Sequence, residues 1–461
     1  MNKIQSKHKL FYQKIDASYL AEQIIAFFIA IRKIYPDAVL LENSEEGFIK
    51  KSIISFDTMA RFRGHHHTNI GLKEFRQFME DFSCESTNSA SSHIGNVVGF
   101  FAYDTVRFFE EIPNQHPQNN TPDLAFNIYR MSLCFDHRTK ELHIQHIVNN
   151  NENNSKELDD FNQFLKKFAS TIDTNNVGEY YSPLQNSTLL IEPDIDDNRF
   201  KEIVHQAKNY IHSGDIFQVV LSRTFQCPYT EDPLKIYQTL RKNYPTPYLF
   251  YIPMDDFSLV GASPETCVKV DNKLVSVNPI AGTRKRTKSL EEQEMDLLND
   301  DKELAEHMML VDLARNDLGR VSKIGSINIA ELLKVKHFSH VSHITSTITG
   351  ELLHHLDALD ALAAAFPAGT LSGAPKIRAM EIIDELENSR RNIYGGAICC
   401  LDFEGNLDSC IAIRMATIKN GMASFRTGAG IVADSDPQAE ANETRHKAQA
   451  MIDAIGEALC Y

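Results

Sequence analysis

Two acidic pairs at helical spacing are the first residues in this sequence that could do chemistry. Glu303 and Glu306 lie three positions apart, as do Glu440 and Glu443, so each pair would present both carboxylates on one face of a helix. Lys447 continues the second stripe. A single acidic pair is ordinarily a solvated helix face. Two pairs together offer the hard oxygen ligands that suit a divalent cation such as Mg²⁺, which keeps waters to exchange for a substrate carboxylate. An acidic protein can hold an anionic substrate in this way.

The elements that must position these groups follow from pattern. Ser289 followed by Glu292 reads as a capping box and predicts one helix over 291–318 carrying Glu303 and Glu306. Asp436-Pro437 supplies an N-cap and a first-turn proline for a helix over 437–457. Further helices are predicted at Leu20–Ile34, 196–213 and 373–387. Strands are predicted in DAVLLEN (37–43), GNVVGFFAY (95–103), LVGAS (259–263), KLVSVNP (273–279), YGGAICCLDF (394–403) and MASFRTGAGIV (422–432). Without a βαβ rhythm, the mixture implies an α+β fold with antiparallel sheets. Asn/Pro/Ser-rich stretches at 113–123, 149–157 and 173–187 read as loops or linkers, and the main boundary is placed near residue 190.

Composition narrows the partners. The chain has 461 residues, 43% hydrophobic and 24% charged, with a net charge of −15. No long Lys/Arg run stands out, so nucleic acid and anionic membrane are poor partners. No run of about 18 apolar residues and no signal-peptide pattern is present. Eight cysteines are scattered without a C-x-x-C, which supports neither a disulfide framework nor a zinc site. The expectation is a reduced, soluble, cytoplasmic protein.

Other segments are ambiguous by themselves. GAGIVA (428–433) matches the dinucleotide fingerprint, but Asp434–Pro437 intervenes before the helix and the chain ends after it. A glycine-lined turn offering N–H groups to a carboxylate fits better. His343 in HVSHIT reads alone as structural, and His65–His67 as a polar loop. AGTLSGAPK (368–376) reads as a turn with Thr370 and Ser372 as hydroxyl donors. Cys399 and Cys400 read as core strand residues.

Taken together, GDIFQVVLSR (214–223), ASPE (262–265), PIAGTR (279–284), KELAEHMMLVDLARNDLGR (302–320), AGTLSGAPK and GAGIVADSDPQAEANET (428–444) resemble the chorismate-utilising enzymes, within them the large-subunit branch of the anthranilate synthases. The likeness is dense over about 195–455 and extends more weakly to VLLEN (39–43) and GFFAYDTVRFFE (99–110). It implies two antiparallel β-sheets packed as a sandwich with helices outside, an N-terminal regulatory part over 15–160 and a chorismate-binding catalytic domain over 190–456. Glu306 and Glu443 would coordinate Mg²⁺, with Glu303 and Glu440 completing the acidic site. Arg414, Lys447, Thr370 and the backbone at Gly428 and Gly430 would hold the substrate carboxylates, while Gly282, Thr283 and Tyr394 would line the substrate pocket. Glu265 would protonate the departing C4 hydroxyl. His343 would serve the later elimination of pyruvate.

Two positions sort the siblings that this resemblance brings in. Relatives that add water carry lysine where this chain has Gln218; glutamine cannot activate water, yet it can orient ammonia. Aminodeoxychorismate synthases typically carry a ring-attacking lysine where this chain has Ala281. Alanine leaves ammonia to attack C2 directly, which is anthranilate chemistry. An aminodeoxyisochorismate synthase, an aminodeoxychorismate synthase and a non-catalytic binding module are the alternatives. The resemblance further implies a separate glutamine amidotransferase subunit, in a heterotetramer, and tryptophan inhibition at a pocket of Glu42, Asn43, Pro247, Tyr248 and Leu249. Asn43 and Leu249 stand where the branch has serine and methionine. Glu42 would pair with the ligand's ammonium.

Overall fold

Strand Leu124–Asp136 is the root of two antiparallel arms. One edge pairs with Phe48–Gly64 along its length; the other is shared between Val97–Phe101 and Glu141–Asn149. The first arm continues from Phe48–Gly64 through Val39–Glu45, Tyr248–Pro253, Ser258–Ser263, Met415–Lys419 and Met422–Ile431 to Gln218–Pro228. The second continues from Val97–Phe101 through Ala397–Leu401, Leu407–Ile411, Thr266–Asp271 and Leu274–Val277 to Val341–Glu351. This last strand also pairs with Ile280–Lys285 and Asn328–His337. Every pairing in both arms is antiparallel. The computed structural model describes residues 8–45, 47–86, 95–117, 120–149, 155–171, 189–285, 289–337 and 341–460.

The arms are the two sheets of the expected sandwich, joined at their root. Val39, Phe250, Leu259 and Met415 of the first pack with Val98, Phe100, Ile398 and Cys410 of the second in one buried cluster. Each such apolar side chain contributes about 1.5–3 kcal/mol when fully buried. Nearer the site, Val219, Leu221, Ala429 and Ile431 share a core with Val268, Val275 and Ile348 and with the helices Ala358–Ala365 and Lys376–Leu386. In each arm, strands from before residue 160 join directly to strands from after residue 190: Val39–Glu45 pairs with Tyr248–Pro253, and Val97–Phe101 with Ala397–Leu401. The boundary therefore crosses shared sheets. The 173–187 linker lies outside the described residues.

One predicted helix is two. The Ser289–Glu292 capping box opens Leu290–Leu298 only. Asn299 then leaves helical geometry, and Asp300 accepts from the N–H groups of Lys302 and Glu303 to start Asp301–Gly319. A carboxylate at an N-cap satisfies orphan donors of a new helix, so the chain turns where the apolar pattern continues. The helix predicted at 373–387 spans Lys376–Leu386. Gly373 is held at φ +136°, and a Cβ there would stand 2.2 Å from the Gln218 carbonyl oxygen.

Candidate active site

Two candidate residues sit where the chain crosses between arms. Glu265 lies in the short link from Ser258–Ser263 in the first arm to Thr266–Asp271 in the second. Arg414 lies in the return link, from Leu407–Ile411 to Met415–Lys419. Backbone bonds pin both: Ile411 N–H donates to the Glu265 carbonyl and Ala262 N–H to that of Arg414, each at 3.0 Å. Arg414 occupies φ +49°, a conformation costing roughly 1–3 kcal/mol for a non-glycine residue and typical of functional positions.

Burial pushes the Glu265 carboxyl up to about 8, against the Thr370 hydroxyl and the charges of Arg414 and Lys447, which favour its ionised form. Thr370 Oγ1 donates to Glu265 Oε1 at 3.2 Å. The group is thus a carboxylic acid that retains its proton near neutral pH, as a general acid requires. Burial lowers the Arg414 guanidinium, while Glu265 holds it up.

The glycines of GAGIVA lie in the strand Met422–Ile431, in line with the strand predicted over 422–432 and not with the glycine-lined turn also read there. Gly428 pairs with Ser222 and Gly430 with Val220. Ser222 and Val220 direct their own N–H groups to Glu387 and Ser372 instead. In an antiparallel ladder, these are the non-hydrogen-bonded pairs. The N–H groups of Gly428 and Gly430 therefore point away from Gln218–Pro228, on the edge where Met415–Lys419 has already ended its pairing at Phe425. Lys447 Nζ donates to the Gly428 carbonyl at 3.0 Å. A Cβ on Gly428 would fall 2.8 Å from Tyr394 Oη, and one on Gly430 2.8 Å from Gln218 Nε2. Glycine is required for both side chains to lie so close to the backbone.

Across the site, His343 Nδ1 bonds the Gly282 carbonyl at 2.7 Å. That bond fixes Nδ1 as the donor and makes Nε2 the proton-accepting nitrogen. Burial lowers the imidazole to about 4, so it is neutral. Gly282, at φ +66°, brings Glu303 in: a Cβ there would be 3.2 Å from Glu303 Oε2. Ala281 is buried opposite Ile344. The Thr283 side chain lies outside the described residues.

The four glutamates come from two helices, Asp301–Gly319 and Pro437–Leu459. Burial and then Glu303 raise Glu306, with a further push from Glu443. Burial also raises Glu440, with Glu443 adding to it. Lys447 pairs with Glu443 at 2.7 Å. Among the described residues no three acidic, histidine or cysteine side chains converge on a common metal position. The glutamates form a repulsive acidic field, not an assembled coordination sphere. Their oxygen donors and mutual repulsion fit a hard divalent cation.

Glu42, Asn43, Pro247, Tyr248 and Leu249 do come together, lining a cavity of about 1000 Å³. Tyr248 lies opposite Asn43, and Leu249 opposite Glu42. The cavity walls include Pro264 and Thr266, the neighbours of Glu265. One expectation fails here. The Glu42 carboxylate, fully buried, accepts from Ser52 at 2.5 Å, Tyr237 at 2.6 Å and Arg241 at 2.6 and 3.2 Å. Its charge is already matched by Arg241, so it does not await a ligand ammonium.

A family model described as chorismate binding enzyme matches residues 36–453. The chain belongs to the chorismate-binding enzymes. Among curated relatives, anthranilate synthase component 1 of Acetivibrio thermocellus is 43% identical, covering 79% of this chain and 76% of its own. That of Bacillus subtilis is 39% identical over 84% of this chain and 78% of its own. The solved anthranilate synthase component I of Streptococcus pneumoniae superposes with a TM-score of 0.77 at 36% identity, covering 87% of this chain and 92% of that one. A menaquinone-specific isochorismate synthase from Escherichia coli shares the fold at 18% identity, with a TM-score of 0.70 and coverage of 98% and 95%.

Proposed function

We propose that the chain aminates chorismate at C2 and eliminates pyruvate, forming anthranilate as the large subunit of an anthranilate synthase; this is carbon–oxygen lyase chemistry. Support for the reading comes from the buried Glu265, whose carboxyl burial pushes up to about 8 beside Thr370 and the charge of Arg414, with Gln218 and Ala281 where the resemblance implies lysine in water-adding and C4-aminating enzymes. Glu265 gives its proton to the C4 hydroxyl, which leaves as water while ammonia bonds to C2 and the ring double bonds shift. Gln218 orients the ammonia. Arg414, Thr370, Lys447 and the N–H groups at Gly428 and Gly430 hold the substrate carboxylates. Aromatisation then requires loss of the C2 proton and cleavage of the bond between C3 and the enolpyruvyl oxygen; neutral His343 accepts that proton at Nε2. The released enolpyruvate takes up a proton to become pyruvate.

Glu306 and Glu443, flanked by Glu303 and Glu440, would hold Mg²⁺. When bound, the ion would offset the negative charge of a substrate carboxylate. Ammonia would come from glutamine through a partner amidotransferase, and tryptophan would inhibit at the cavity beside Glu42. A cytoplasmic setting belongs to the same proposal; among the described residues no helix is long and apolar enough to cross a membrane. The reading is tested by incubating the chain with chorismate and Mg²⁺, with and without ammonium. Fluorescent anthranilate should form only with ammonium; a product formed equally well without it would place the chain among the water-adding relatives.

A further inference from the structure

The sequence motifs leave unused a charged network buried beneath the site. Arg391 follows the helix Lys376–Leu386 and is 4% exposed. Its guanidinium donates to Glu387 Oε2 at 3.0 Å and Oε1 at 2.6 Å, to the Leu371 carbonyl at 2.5 Å and to the Val220 carbonyl at 2.6 Å. It lies over the Tyr103 ring at 4.7 Å and near the Tyr394 ring at 5.8 Å. Glu387 also accepts from the Ser222 N–H and hydroxyl and from Arg426.

These contacts reach three separate parts of the site. Leu371 adjoins Thr370, whose hydroxyl holds Glu265. Val220 lies two residues from Gln218 on the same strand. Tyr394 carries the hydroxyl over Gly428. Buried ion pairs contribute little net stability compared with apolar packing of similar volume, so stability is a poor reason for so many directed bonds. A planar fork making bonds in several fixed directions is something guanidinium does and ammonium cannot.

We propose that Arg391 is a positioning residue for chorismate: it fixes the Thr370 turn, the Gln218 strand and Tyr394 in one arrangement without touching substrate. The proposal rests on the amination reading. Failure of that reading would appear as a wild type without anthranilate synthesis; failure of this one appears only in the variants of an active enzyme.

The test compares Arg391→Lys with Arg426→Lys in ammonium-dependent turnover. Arg426 shares Glu387 but otherwise bonds Ser222, Thr224, Ser389 and the Arg390 carbonyl, outside the candidate site. Arg391→Lys should raise the chorismate KM about tenfold or more, as small misplacements of binding groups do. Arg426→Lys should lower the melting temperature and leave that KM unchanged. An unchanged KM in folded Arg391→Lys, or the same rise in both variants, overturns the proposal. Should Arg391→Lys not fold, Tyr103→Leu removes only the ring beneath the guanidinium; a raised chorismate KM supports the proposal and an unchanged one overturns it.

Discussion

Thr370 donates its hydroxyl to the carboxyl of Glu265 at 3.2 Å, joining the turn of AGTLSGAPK to the crossover between the two sheets. This bond favours the ionised form of an acid that burial otherwise holds protonated up to about 8. In the proposed reaction Glu265 carries the proton that releases the C4 hydroxyl, so turnover at fixed free ammonia should fall as pH rises through about 8. Thr370→Val removes the bond, raises the Glu265 value further and should move that basic limb upward. A limb that stays in place or moves down would separate Thr370 from Glu265.

Replacing the acid itself should be more severe. Glu265→Gln is expected to lower kcat by about 10²–10⁴-fold, the usual contribution of a positioned acid. Chorismate binding, measured by equilibrium titration, should survive, since the acid acts mainly in the transition state. Loss of binding with intact folding would assign Glu265 to substrate affinity instead.

His343→Ala should separate the two halves of the reaction. Ammonia addition should persist while the amino intermediate accumulates, detected by mass. Wild-type rates of anthranilate release would remove the imidazole from the elimination step.

The acidic field gives a metal prediction. Glu306→Gln and Glu443→Gln each remove one charge from a cluster whose members repel one another. Both should raise the Mg²⁺ concentration needed for half-maximal turnover. Unchanged Mg²⁺ dependence in both would return these residues to an ordinary helix surface.

Tryptophan binding at the cavity beside Glu42 can be tested optically, because the chain contains no tryptophan. Added tryptophan should change its emission on binding and inhibit turnover. Glu42→Ala would leave Arg241 partly buried and unpaired, at a stability cost of about 3 kcal/mol or somewhat less given its solvent access. That loss, read from urea unfolding, is expected whether or not tryptophan binds. No emission change and no inhibition at saturating tryptophan would mean that the cavity does not serve as a tryptophan site.

Much of the site was legible because its residues fall in short contiguous motifs. The i,i+3 glutamate pairs and the Asp436-Pro437 cap are local features, and local features survive without knowledge of the fold. The strands around Ala397 and Met422 are legible from their apolar runs, whereas Gln218–Pro228 enters the sequence reading only as a motif and not as a strand. What was not legible depends on distant partners. Asp300 looked like one more helix residue until its carboxylate was seen capping Asp301–Gly319. GAGIVA reads locally both as a strand end and as a glycine-lined turn, and its pairing with Gln218–Pro228, some two hundred positions away, decides for the strand. Glu42 looked available because Tyr237 and Arg241 lie some two hundred positions away. Arg391 went unnoticed because two of its four bonds go to backbone carbonyls, which leave no mark in side-chain pattern.

Direct C2 amination followed by pyruvate loss fixes the product stoichiometry. With chorismate, Mg²⁺ and ammonium, the purified chain should release anthranilate and pyruvate in equal amounts, with no amino intermediate left at completion. Accumulation of aminodeoxyisochorismate without pyruvate, or of a 4-amino product, would contradict the account.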